Sequence, residues 1–512
     1  MNSYQAINPQ TNQQLDPKFE NHSLADLEDI LKASQSAFQD YSKLAASKRA
    51  ELLRSIGRHL EQLRESIVER AMQETALPEL RLNGELGRTI GQLELFAGML
   101  DEGSFNRPVI ETALPERAPV PRPDLRLSSI PLGPVAVFGA SNFPLAFSTS
   151  GGDTASALAA GCTVVVKVHP AHPGTSAQVE NAIHQALQEQ EIPRHVFQTV
   201  SGTGFEIGQA LVKHPNIKAA GFTGSTTGGR ALFDLAAQRP EPIPFYGELG
   251  SSNPVYLLPN TLADNSLQLA DAFCASLTLG AGQFCTSPGL IFAIKGEVLD
   301  DFKGKLATAL QSSTPQTMLT ATICENYRNG VRAQLSNPQL AAIRNDETTC
   351  NEHNTALPAV FACSSSSWRE NPTLQDEIFG PSALIIECES TMEMIELAAG
   401  LHGHLTATVH ANDKDQEVAK SLVERLQPKV GRLIFNGWPT GVDVGEAMNH
   451  GGPYPASTDV RSTSVGARAI ERWLRPLCFQ DTPDALLPAE LQNANPLGII
   501  RRVNGKSTDS PI

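Results

Sequence analysis

The sequence predicts an α/β protein built on parallel sheets, and three observations carry that reading. Short runs rich in Val, Ile and Phe alternate with Ala-rich segments of helical spacing. Small or reactive residues cluster where those runs end, the place where open α/β sheets bind ligands. The 512 residues exceed the size of one ordinary domain.

The elements follow in chain order. Between Ser23 and Leu63 the apolar residues Leu24, Leu27, Leu31, Leu52, Leu53, Ile56 and Leu60 recur at helical spacing, and Ser23 with Asp26 forms a capping-box pattern. Helical periodicity continues to about Leu100. A Pro-rich stretch from Arg107 to Pro123 then reads as a linker or exposed arm, followed by a strand-prone hairpin at Asp124–Ile130. Val135–Phe138, Val164–Val168, Phe197–Val200 and Ala219–Thr223 read as strands, with Thr154–Ala160 and Ser176–Gln188 as helices between them. A second series follows Glu248, with strands at Val255–Leu258, Leu290–Ile294, Ala383–Ile386, Thr406–His410 and Leu433–Phe435. Ser364–Ser367 reads as a solvated loop.

The formal net charge is −15, so the long-range field repels nucleic-acid backbones and anionic membrane surfaces. Eight cysteines, at 162, 274, 285, 324, 350, 363, 388 and 478, form no CxxC pair, and no histidine stands at metal-ligand spacing from them. That pattern predicts reduced thiols and no metal. The first fourteen residues are polar and no apolar run is long enough to span a bilayer, so a soluble cytoplasmic protein is expected.

Five segments carry the chemistry: Phe138–Pro144 with Asn142, Lys167–Pro170, Phe222–Gly229, Glu248–Gly250, and Gly282–Thr286 with Cys285. Each alone has an ordinary reading, as a turn, a core thiol or a solvated charge. Their joint order, with Glu377–Pro381 after them, resembles the aldehyde dehydrogenase superfamily from about Ser23 to Arg475. Within it, the segments Gly151–Gly161, Glu248–Pro254 and Trp473–Pro476 are similar to a branch that oxidises 2,5-dioxopentanoate to 2-oxoglutarate, close to a branch acting on long-chain fatty aldehydes.

The resemblance implies a Rossmann-like cofactor domain, an α/β catalytic domain and a small β oligomerisation arm. The corresponding ranges are 1–110, 132–248 and 442–475 for the first, 249–441 for the second, and 111–131 with 476–512 for the arm. It implies Cys285 as nucleophile, Glu248 as the base that activates water, and Asn142 with the Cys285 N–H as oxyanion donors. Glu377 is expected at the nicotinamide ribose with Phe379 beside the ring, and Gly224, Ser225 and Gly228 at the pyrophosphate. Many NAD-preferring relatives carry Glu where this chain has Pro170. Lys167, His169 and Thr175 therefore predict NADP, with NAD possible.

Two departures from the family pattern bear on the thiolate. Many relatives have Lys at Gly151, and Gly-Lys where this chain has Ser251 and Ser252. His450 replaces an aromatic tunnel residue and is expected to serve as an auxiliary base or donor near Cys285, or as tunnel wall. Phe143, Phe147 and Phe284 suit an apolar tunnel for fatty aldehydes, whereas an acid-ended substrate needs cations, for which Arg461 is a candidate. A homodimer or homotetramer is expected. A catalytically silent cofactor-binding relative is the reading of another class, and Glu248 speaks against a CoA-acylating enzyme.

Overall fold

The computed structural model describes residues 3–344 and 354–512, so Cys350 lies outside the described residues. The chain opens on a hairpin of β1 (Ser3–Ile7) and β2 (Gln14–Glu20). No apolar alternation announces it, because most residues of both strands keep contact with solvent. Four helices follow: α1 (Leu24–Tyr41), α2 (Ala46–Gln62), α3 (Arg64–Thr75) and α4 (Glu79–Glu102). The predicted capping box forms, with Asp26 N–H donating to Ser23 Oγ at 3.2 Å and Ser23 N–H donating to the Asp26 carboxylate at 2.8 Å. Helices α2 and α4 pack together and bury Leu53, Ile56, Leu86 and Leu93 in a core that continues beneath the first sheet.

After β3 (Val109–Glu111) and β4 (Leu125–Pro131), the first sheet is laid down by β5 (Val135–Phe138), α5 (Gly152–Ala160), β6 (Val164–Lys167), α6 (Pro173–Glu189), β7 (Phe197–Val200), α7 (Glu206–Lys213), β8 (Ala219–Thr223), α8 (Thr226–Ala237) and β9 (Phe245–Glu248). All its pairs are parallel, in the order β7-β6-β5-β8-β9. The Val-rich strands β5 and β6 are wholly buried, as parallel strands covered on both faces must be. Strand order reverses between β5 and β8, which opens a crevice beyond Phe138 and Thr223.

The second sheet uses β10 (Pro254–Leu257), α9 (Pro259–Thr278), β11 (Leu290–Ile294), α10 (Glu297–Gln311), the short β12 (Gln316–Thr317), α11 (Ala321–Leu335), β13 (Ala341–Arg344), the short β14 (Thr355–Ala356), β15 (Ala359–Ser364), α12 (Ser365–Glu370), β16 (Ser382–Cys388), α13 (Thr391–Ala399), β17 (His404–His410), α14 (Gln416–Leu426) and β18 (Val430–Phe435). Its order is β13-β15-β16-β11-β10-β17-β18, with only the β13–β15 pair antiparallel. Ser364–Ser367 is not the solvated loop its composition suggests. Ser364 caps α12, its hydroxyl accepting from the Ser367 N–H at 3.1 Å, and Ser365 is buried.

A third sheet, in the order β19-β4-β3-β20-β21, adds β19 (Leu474–Gln480), β20 (Arg501–Val503) and β21 (Lys506–Thr508). The segment expected as a hairpin at Asp124–Ile130 is instead the single strand β4, between β3 and the distant β19. The Pro-rich stretch before it contributes β3 and a bridge from Leu114 to Arg122.

Candidate active site

Glu248 ends β9, and Cys285 lies on the turn between α9 and β11. Helix α9 stops at Thr278, and Gly280, Ala281 and Gly282 all take left-handed φ values of 57°, 56° and 66°. A Cβ at Gly282 would come within 2.4 Å of the Gly380 and Pro381 backbone, so only glycine fits there. The turn is pinned from below by Asn253, wholly buried, whose amide nitrogen lies 2.8 Å from the Cys285 carbonyl and 2.9 Å from the Ser287 carbonyl.

The structure brings Glu248, Cys285 and His450 together, with their sulfur, nitrogen and carboxylate atoms within 4.8 Å of one another. His450 Nε2 is 3.5 Å from Cys285 Sγ and 2.9 Å from Glu248 Oε1, the latter close enough for an ion pair but without the alignment of a hydrogen bond. Ser464 donates its hydroxyl to the other oxygen of Glu248. Burial pushes the Glu248 carboxyl up, but the His450 charge, the Ser464 hydroxyl and Cys285 outweigh it and hold the group below the ordinary carboxylate range. Burial and the negative charges of Glu248 and Glu377 push the Cys285 thiol well above its ordinary value. The thiol therefore keeps its proton at neutral pH and needs an adjacent acceptor to become a nucleophile.

Asn142 is buried on the turn after β5, and its amide donates to the Gln283 carbonyl at 3.0 Å, two residues before Cys285. The second amide hydrogen remains for another acceptor. Arg81 of α4 donates to the Asn142 carbonyl at 2.7 Å and lies over the rings of Phe143 and Phe284, at 4.8 and 4.5 Å. Phe143, Ala146, Phe284 and Phe147 form one apolar wall, and Phe147 approaches His450 with ring centroids 6.2 Å apart. The relatives' lysine at position 151 has no room here, because a Cβ on Gly151 would stand 2.5 Å from the Ala146 carbonyl oxygen.

At the crevice, Gly224, Ser225, Thr226 and Thr227 are exposed at the N-terminus of α8, and Ser225 caps that helix by accepting from Gly228 N–H at 3.2 Å. Such an end offers free N–H groups and the positive pole of the helix to an anion. Lys167 ends β6, donates Nζ to the Val168 carbonyl at 2.8 Å, and burial pulls its pKa down to about 8. Glu377 holds its carboxylate against Gly250, where a Cβ would stand 2.5 Å from Oε2. Burial of the carboxyl raises its pKa to about 8, opposed by the Ser251 N–H, while the residue as a whole is exposed. Phe379 is half-buried two residues on.

Three expected residues are placed differently from their expected roles. Thr175 is fully buried and donates its hydroxyl to Glu74 at 2.8 Å; the same carboxylate caps α6 through the Gly174 and Thr175 N–H groups and pairs with Arg70 at 3.0 Å. The Thr175 hydroxyl is thus spent on the helix cap. His169 stacks on His172 and accepts from Ala171 N–H, and burial holds its pKa well below the ordinary value, so it stays neutral. Arg461 is exposed, with 89% of its side chain accessible and Asp459 as its partner. Conversely, Ser464, Arg81 and Arg88 carry no local sequence signal and reach the site only through the fold, and Asn253, within the Glu248–Pro254 segment, carried no expected role.

The comparisons with known proteins agree with this geometry. The aldehyde dehydrogenase family model matches residues 1–474. The chain is 46% identical to alpha-ketoglutaric semialdehyde dehydrogenase 2 of Azospirillum brasilense, covering 98% of this chain and 96% of that one. It is 46% identical to the alpha-ketoglutaric semialdehyde dehydrogenase of Acinetobacter baylyi, covering 95% and 93%. Among solved structures, a Staphylococcus aureus betaine aldehyde dehydrogenase point mutant in complex with NAD+ superposes with a TM-score of 0.80 at 20% identity, over 94% of this chain and 93% of that one. With its fold, its thiol beside a carboxylate and the family match over most of its length, the chain belongs to the aldehyde dehydrogenase family.

Proposed function

We propose that the protein oxidises 2,5-dioxopentanoate to 2-oxoglutarate with NADP, with NAD as a second possible cofactor. The reaction class rests on one observation above all, the Cys285 thiol held 3.5 Å from His450 Nε2, itself 2.9 Å from Glu248. The substrate rests on the 46% likeness to two alpha-ketoglutaric semialdehyde dehydrogenases over nearly the whole chain.

In this reading His450 accepts the Cys285 proton as sulfur attacks the aldehyde carbon, and Asn142 with the Cys285 N–H holds the resulting oxyanion. The nicotinamide, when bound, supplies the acceptor for the hydride that converts the sulfur adduct to a thioester. Glu248 then takes a proton from water so that the hydroxyl oxygen attacks the thioester carbon. The bond to sulfur breaks, and the carboxylic acid leaves. The low pKa of Glu248 keeps it ionised for that step.

The residues present fit a dinucleotide. The exposed N-terminus of α8 with Gly224, Ser225 and Gly228 suits the pyrophosphate, Lys167 suits the adenosine end, and Glu377 with Phe379 suits the nicotinamide riboside. The absence of an acidic side chain at Pro170 and the cation of Lys167 favour the extra phosphate of NADP. Residues 1–110, 132–248 and 442–475 would form the cofactor domain around the first sheet, and 249–441 the catalytic domain around the second. The third sheet corresponds to the arm of 111–131 and 476–512. Its edge strand β19 and the half-exposed edge β18, with Phe435 51% exposed, are open to pairing, which supports a homodimer or homotetramer. The seven described cysteines are all free, in keeping with a cytoplasmic setting, and no described helix is long and apolar enough to cross a membrane.

The test is kcat/KM for 2,5-dioxopentanoate, succinic semialdehyde and decanal with NADP and with NAD. A preference for 2,5-dioxopentanoate with NADP supports the proposal. A preference for decanal moves the function to fatty aldehydes, and a hundredfold preference for NAD overturns the cofactor assignment.

A further inference from the structure

Helix α4 turns a polar stripe toward the site: Arg81, Glu85, Arg88 and Gln92 recur at spacings that place them on one face. Two of these have assigned contacts. Arg81 holds the Asn142 carbonyl, and Glu85 accepts from the N–H groups of Leu145 and Ala146 at 2.8 and 3.0 Å. Arg88 has none. Its Nε and Nη2 are buried without a hydrogen-bond partner, and no described carboxylate forms an ion pair with it. Its guanidinium carbon lies 5.1 Å from the centre of the Phe147 ring. Leaving such donors unpaired in the interior is costly, more so for a charged group. A cation–π contact offsets only part of that.

The location says what would pair them. Phe147 lies against His450, and His450 against Cys285 and Glu248, so Arg88 stands on the same wall as the reacting thiol. Burial lowers the Arg88 pKa, while the negative charges of Glu85, Cys285, Glu248 and Asp443 act on it in the opposite sense. Arg432 also feels the charge of Cys285, but it commits Nη2 to the carbonyls of Pro439 and Gly441 at 3.0 and 2.8 Å, and only its Nε is left buried without a partner. Arg88 as a whole is only half-buried, so a small ligand can reach it.

We infer that Arg88 is the specificity residue that receives the carboxylate of an acid-ended aldehyde whose carbonyl lies at Cys285. The inference rests on the acid-aldehyde reading above and names the group that recognises the acid. A planar guanidinium offers paired donors matched to a carboxylate. An aliphatic aldehyde of the same length leaves those donors unpaired, which is how a polar site rejects an apolar analogue.

The experiment measures kcat/KM of the full-length enzyme for 2,5-dioxopentanoate, succinic semialdehyde and pentanal at saturating NADP, in wild type, Arg88→Gln and Arg88→Lys. NADPH binding by fluorescence confirms that each variant is folded. Expected is a fall of about tenfold or more in the ratio of the acid-ended substrate to pentanal for Arg88→Gln, the loss of one charge-assisted hydrogen bond, carried by KM. Arg88→Lys recovers part of it, and should Arg88→Gln not fold, the ratio in Arg88→Lys lies below wild type. The pH profile of Cys285 alkylation stays that of wild type. An unchanged ratio, or a parallel loss on all three aldehydes with a displaced alkylation profile, overturns the inference, the latter assigning Arg88 to the thiolate. Wild type that favours succinic semialdehyde, with the preference lost in Arg88→Gln, sinks the five-carbon substrate and leaves Arg88 standing. Wild type that favours 2,5-dioxopentanoate, with the preference kept in Arg88→Gln, sinks only Arg88. Wild type that favours pentanal sinks both.

Discussion

His450 Nε2 sits between two acids of opposite need, 3.5 Å from the Cys285 sulfur and 2.9 Å from the Glu248 carboxylate. The thiol is pushed up by burial and by the charge of Glu248, whereas the carboxyl is held down in part by the charge of His450. One imidazole is thus placed to take the proton from the first group and, once it carries that proton, to keep the second ionised.

Replacing it separates these duties. His450→Gln is expected to lower kcat by about a hundredfold, the lower range of general-base contributions. Once it holds the thiol proton, the imidazole carries the charge that keeps Glu248 ionised, so its loss raises the Glu248 pKa and the acid limb of the kcat–pH profile moves to higher pH. A pH–rate series on wild type and variant measures both. An unchanged kcat and profile would make His450 a wall residue.

Glu248→Gln removes the acceptor for the hydrolytic water but leaves Cys285 in place. A burst of NADPH close to one equivalent, followed by turnover slowed by about a hundredfold or more, is the expected record in stopped flow. Absence of the burst would shift Glu248 to an earlier step.

Lys167 loses its charge as pH rises through about 8, since burial lowers its pKa from the ordinary lysine range. Its attraction for a phosphate is present below that pH and fades above it. KM for NADP should therefore rise between pH 7 and 9 more steeply than KM for NAD, and Lys167→Met should abolish the difference. Parallel curves for the two cofactors in wild type would take Lys167 out of the phosphate site.

Asn253 joins strand β10 to the turn that carries Cys285 through the Cys285 and Ser287 carbonyls, and its carbonyl oxygen accepts from Ser251 and Thr406 hydroxyls at 2.9 and 3.1 Å. Asn253→Ala leaves several buried polar groups unpaired, at about 1–3 kcal/mol each before relaxation. Denaturant melts should show a loss of a few kcal/mol, and kcat should fall with it because the turn carries Cys285. A variant as stable as wild type would show that these bonds contribute little net stability.

What the sequence determined was the local physics. Val-rich runs, Ala-rich helices and the Ser23–Asp26 cap are dictated by near neighbours, and the elements they predict stand within about three residues of the observed ones. Asn142 sits on the turn after β5, Glu248 at the end of β9 and Cys285 on the turn before β11; the three were legible because the joint order of their segments resembles the family's, each alone having an ordinary reading. The N-terminal hairpin and the cap at Ser364 were not legible, since no apolar pattern marks them, nor was the pairing of β4 with β19, whose partners lie far apart in the chain. The same limit applies at the site. Thr175 looked like a cofactor donor until the fold brought Glu74 to its hydroxyl, and Arg461 looked like a substrate cation until its loop proved exposed. Only the tertiary structure decided that His450 faces Cys285, that Ser464 donates to Glu248, and that Arg88, of all the arginines near the thiol, keeps two buried donors unpaired. Hydrogen-bond pairing in an interior is a property of residues distant in sequence, so it is written in the packing of helices on sheets rather than in the order of residues along the chain.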